Sequence, residues 1–74
     1  MDKIFTHIEN KSLRYSLINI FPNKKGFDQW GSFIDLSSGV IKNLPIKSLT
    51  FIGVLSNDEF ISSSDYFYMA KLKT

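Results

Sequence analysis

Seventy-four residues leave room for one small domain, and a chain of that size buries only about 60% of its unfolded surface. No cysteine and a single histidine, His7, exclude disulfides and an ordinary structural zinc site. A net charge of +2 and an apolar share of 43% exclude a highly charged disordered chain, so stability must come from dense packing or self-association.

The dominant local signal is period-two alternation of β-branched and aromatic residues, which predicts strands. Lys3 to Ile8 suits either a strand that pairs across a turn at Glu9-Asn10-Lys11-Ser12 or a short helix capped by Asp2. Leu13 to Phe21 is the clearest strand, with Leu13, Tyr15, Leu17 and Phe21 on one face and Arg14, Ser16, Ile18 and Ile20 on the other. Pro22 to Gly26 supplies a turn, and a second strand follows from Phe27 to Leu36, where Gly31 suggests a bulge or sharp bend. After a turn at Ser37-Ser38-Gly39, Val40 to Leu44 reads as a short strand or one helical turn, ended by Pro45. Leu49 to Leu55 is apolar on both faces, with Leu49, Phe51 and Leu55 opposing Thr50, Ile52 and Val54. It should therefore lie centrally, covered on two sides. Asn57-Asp58-Glu59 turns the chain again. Tyr66 to Leu72 favours a strand through its Tyr-Phe-Tyr run, with a helix capped by Ser64 or Asp65 as the alternative. The fold class predicted is mainly β: a single small antiparallel sheet or a five-stranded barrel, SH3-like or OB-like, with room for one short helix. Closure is the favoured form because it removes exposed edges.

Compartment follows from what the sequence lacks. Met1 to His7 holds no apolar stretch of signal-peptide length, and no window approaches the roughly 20 apolar residues that span a bilayer. The expectation is a cytoplasmic protein without a membrane partner. Eight lysines stand against the single Arg14, nine isoleucines against the single Ala70. That bias suits A/T-rich codons, as in an AT-rich bacterium, its phage or a mobile element.

Catalysis is poorly served. A serine triad would need His7 as its base, no Gly-x-Ser-x-Gly elbow exists, and Lys24-Lys25-Gly26 lacks the upstream glycine of a phosphate-binding loop. Asp58 and Glu59 sit together on a turn and read as a solvated cap. No enzyme activity, cofactor or metal is expected.

Binding is better served. Charged residues between Asn10 and Phe27 are all positive, and those between Asn57 and Asp65 are all negative. A basic turn carrying Lys24 and Lys25, flanked by Phe21 and Phe27 with Trp30 close by, could stack bases and neutralise phosphates, as single-strand binders do. Phe21-Pro22-Asn23-Lys24-Lys25-Gly26-Phe27 is similar to the phenylalanine, loop and Lys-Gly-Phe segment of bacterial cold-shock domains. The resemblance covers seven residues and departs at Asp28-Gln29-Trp30-Gly31. It implies an OB-like barrel and single-stranded DNA or RNA as partner. Seven Phe, three Tyr and one Trp also suit a protein interface. Tyr66 and Tyr68 join Lys24, Lys25, Phe27 and Trp30 as candidate partner-binding residues, and Phe67 with Met69, or Ile18 with Ile20, would face a partner or a second copy. The favoured reading is a non-enzymatic binder of a host protein, an inhibitor or modulator encoded by a phage or mobile element, with a homodimer allowed. The alternative is a single-stranded nucleic-acid binder.

Overall fold

The computed structural model describes residues 1–22 and 28–72. Its strands are β1 (Asp2–His7), β2 (Tyr15–Ile20), β3 (Trp30–Asp35), β4 (Ile41–Pro45), β5 (Leu49–Ser56) and β6 (Glu59–Ser62). A single 3-10 turn at Ile46–Ser48 precedes β5, and the helix α1 (Ser63–Leu72) follows β6. All six strands join one antiparallel sheet in the order β4-β3-β2-β1-β5-β6. Of the two forms expected, the single sheet is the one present. It stays open, with β4 and β6 as its edges, so the barrel closure favoured on edge grounds does not occur.

The N-terminal segment is a strand. It reaches β2 through a turn held by its own side chains: the His7 Nδ1 accepts the Glu9 N–H at 3.1 Å, and the Asn10 side-chain oxygen accepts both the N–H and the hydroxyl of Ser12. Val40 to Leu44 resolves as the strand β4, with Pro45 opposite Trp30 on the sheet edge, where a missing N–H costs no ladder bond. Asn57 and Asp58 both take positive φ, 51° and 64°, between the paired residues Ser56 and Glu59. That is the two-residue hairpin whose twist matches its strands.

Two bulges rearrange the faces that alternation predicts. The register of β2 against β3 passes from Leu17 and Phe33 to Asn19 and Ser32, leaving Ile18 as the extra residue. The register of β1 against β5 passes from Ile4 and Gly53 to Phe5 and Phe51, leaving Ile52 extra. Each insertion switches the face of every residue beyond it. Val54 thus joins Phe51 on one face, while Leu55 moves to the other. Gly31 makes no bulge. A Cβ there would lie 3.0 Å from the Phe33 ring and 3.2 Å from the Ile46 side chain, so the glycine admits close packing.

One face of the sheet carries a row of edge-on rings. Tyr15 meets Phe33 at 6.4 Å between centroids, Phe33 meets Phe5 at 5.6 Å, and Phe5 meets Phe51 at 5.6 Å. Phe33 and Val54 are fully buried. Edge-to-face pairs of this kind add about 0.5–1.5 kcal/mol each beyond area burial.

The segment from Tyr66 to Leu72, expected as a strand, is helical. The Ser62 hydroxyl accepts the Asp65 N–H at 3.3 Å, so the cap is Ser62 and not Ser64 or Asp65. The consecutive residues Tyr66 and Phe67 both reach the Phe51 ring, at 6.2 and 5.9 Å. In a strand they would point to opposite faces, whereas a helix sets neighbours about 100° apart. The helix packs on β5 and β6 along the ring-bearing face.

Candidate protein-docking face

Registered pairs share a face, so the side of the sheet away from α1 can be read directly. It carries Asp2, Ile4 and Thr6 of β1, Ser16 of β2, Trp30, Ser32 and Ile34 of β3, Ile41 and Asn43 of β4, Leu55 of β5 and Phe60 of β6. Arg14 and Leu36, joined by a backbone bond of 2.9 Å, extend it past the ends of β2 and β3. No described helix lies over this side.

Large apolar groups are open to solvent along it: Trp30 is 45% exposed, Leu36 47%, Phe60 49% and Ile41 62%. Towards the middle the surface deepens. Ile4, Ile52, Leu55 and Phe60, with Arg14 and Leu36, line a cleft of about 430 Å³ that crosses the strands. The Phe60 ring reaches over Gly53; a Cβ on Gly53 would stand 2.7 Å from that ring and collide with the Ile61 carbonyl oxygen. Ile4, only 2% exposed, forms part of the floor.

Arg14 supplies the cleft's cation. Its Nη1 donates to the carbonyl oxygens of Lys11 and Leu13 and to the Thr6 hydroxyl at 3.3 Å, which ties the guanidinium to the β1–β2 turn. The ion pairs among the described residues use other cations: Lys42 to Asp35 at 3.3 Å and Lys47 to Asp28 at 2.7 Å. Asp35 is a structural carboxylate at the β3–β4 turn. Hydrogen bonds from the Ser37 hydroxyl and N–H, reinforced by Lys42, outweigh its burial and lower its pKa to about 2.

The described members of the candidate set, Trp30, Tyr66 and Tyr68, do not gather into one site. Lys24, Lys25 and Phe27, with most of the segment that resembles cold-shock domains, lie outside the described residues. Trp30 stands on the open face at the β3–β4 side, whereas Tyr66 is half-buried against Phe51 on the other face. Tyr68 is exposed on α1, over β6. Phe67, Met69, Ile18 and Ile20, named as residues that would face a partner, are all exposed. Sequence reasoning missed Arg14, Leu36, Ile41 and Phe60 as members of a common surface. Only the pairing of β6 back onto β5 could have placed Phe60 there, and the Asn57-Asp58 turn is the signal for it. His7, the one imidazole, serves its own turn. Among the described residues no three His, Cys, Asp or Glu side chains cluster in a way that could hold a metal ion, and no helix is long and apolar enough to cross a membrane. No protein-family model, curated protein or solved structure matches this chain.

Proposed function

We propose that this chain is a non-enzymatic binding protein that acts by docking the open face of its sheet onto another protein. The observation that supports the reading is an imbalance of burial. Four hydrophobic residues are buried, two of them fully, while thirteen large apolar side chains among the described residues remain exposed. Single exposed apolar groups are ordinary, but contiguous ones mark interaction surfaces. Ile41, opposite Ile34, lies with Leu36 at one end of an uncovered sheet face and Trp30 stands at the other end of β3, and aromatic anchors of this type dominate interface energetics. Eight lysines against the single Arg14 suit a chain carried by a phage or mobile element, and in this reading the partner is a host protein that the chain inhibits or modulates.

The test is affinity capture from a bacterial lysate, with and without nuclease, using the native chain and the double variant Trp30→Ser, Ile41→Lys. A protein retained after nuclease treatment and lost with the double variant is the expected result. A partner that disappears with nuclease would replace this reading with the single-stranded nucleic-acid one, in which Lys24, Lys25, Phe27 and Trp30 carry binding. Salt separates the two again, since contacts to several phosphates weaken steeply as salt rises.

A further inference from the structure

We propose that the cleft between Arg14 and Phe60 is a binding site for a small amphipathic carboxylic acid, one carboxylate on an apolar body. The site needs no protein partner and stands or falls apart from the docking reading.

Arg14 is anchored through one side of its guanidinium. All of its hydrogen bonds leave from Nη1, so one corner of the guanidinium is pinned by the Thr6 hydroxyl of β1 and two carbonyl oxygens of the turn that follows it. Its Nε and Nη2 donate to no described residue, and none of the described ion pairs includes it. Arg14 is exposed, so those donors remain accessible. A fixed planar fork with a free edge matches a carboxylate in a paired geometry, and the ordering cost has been met by the fold. The remaining lining selects the rest of the ligand. Ile4, Ile52, Leu55 and Phe60 present hydrocarbon, with Leu36 at the rim beside Arg14. A volume near 430 Å³ falls inside the 300–1,000 Å³ range of small-molecule sites, which combine apolar walls with a few placed polar groups. An anion without an apolar body would leave the walls wet. A hydrocarbon without a charge would leave Arg14 unused.

The experiment is an NMR titration of the ¹⁵N-labelled chain with octanoate, with 1-octanol as the uncharged control. Octanoate should shift the amides of Ile4, Ile52, Leu55 and Phe60 saturably and bind about tenfold more tightly than octanol, the margin of a charge-assisted hydrogen-bonded pair. Arg14→Gln should bring octanoate down to the level of octanol. Because Arg14 also holds its turn, a second pair of variants at exposed Leu36 keeps the test decisive. Leu36→Glu should weaken octanoate and Leu36→Lys strengthen it, with octanol altered equally by both. Equal affinity for acid and alcohol would overturn the proposal. So would octanoate affinities that ignore the charge at position 36, or shifts confined to α1.

Discussion

Gly53 shows how much a single absent methyl can decide. Its φ of 156° lies where side chains rarely go, and the place of its Cβ is taken by the Ile61 carbonyl and the Phe60 ring. Gly53→Ala should therefore lower stability by more than about 1 kcal/mol, against the small gain an alanine brings at an unstrained site. Urea unfolding would measure it. Asp35 works through charge. Its carboxyl, normally near 3.8, is lowered to about 2 by Ser37 and Lys42, so the folded state favours the ionised form. The stabilisation is complete above pH ~4 and disappears as pH falls from ~4 to ~2. Thermal midpoints across that interval should drop for the native chain and drop less for Asp35→Asn, which has no such proton to gain.

Among the elements, α1 is the most dependent on its surroundings. It has ten residues, none buried, and is held by Tyr66 and Phe67 against Phe51. Helices this short are marginal alone, so the Ser62 cap matters. Ser62→Ala should cost about 1 kcal/mol and lower the helical signal in circular dichroism before the sheet melts. The same element marks where sequence reading fails. The strands from Leu13 and Phe27 were legible because alternation reports a pleat directly, and the strand from Leu49 because a short apolar run bounded by turns suits a strand. Tyr66 to Leu72 carries aromatic alternation too, yet its neighbours share one target ring, a contact that exists only after β5 is placed. The Ser62-x-x-Asp65 spacing was the local sign of a helix start. The bulges at Ile18 and Ile52 have no such sign, since one extra β-branched residue looks like any other until its partner strand is known. The open face was illegible for that reason. Trp30 could be picked out as a large ring, but Arg14, Leu36 and Phe60 come from separate strand ends and meet only through pairing.

At the scale of the molecule, the sheet is thinly backed. Rings from four strands and one helix supply the core, and Phe33 lies at its centre with no exposure. Truncating a buried Phe typically costs about 3–5 kcal/mol, which rivals the whole stability expected of a chain this small. Phe33→Ala should leave a population largely unfolded at 25 °C, visible as collapsed amide dispersion in NMR.

The sheet order carries a consequence for assembly. β1 sits in the middle, joined to β2 by two registered pairs and to β5 by six. The hairpins β2–β3, β3–β4 and β5–β6 close over short spans, but Ile4 must find Gly53 across most of the chain, and distant closures form slowly. During synthesis β1 waits for β5, its larger partner, until β2, β3 and β4 have emerged. The centre of the sheet is therefore completed only after one of its edges, β4, has been made.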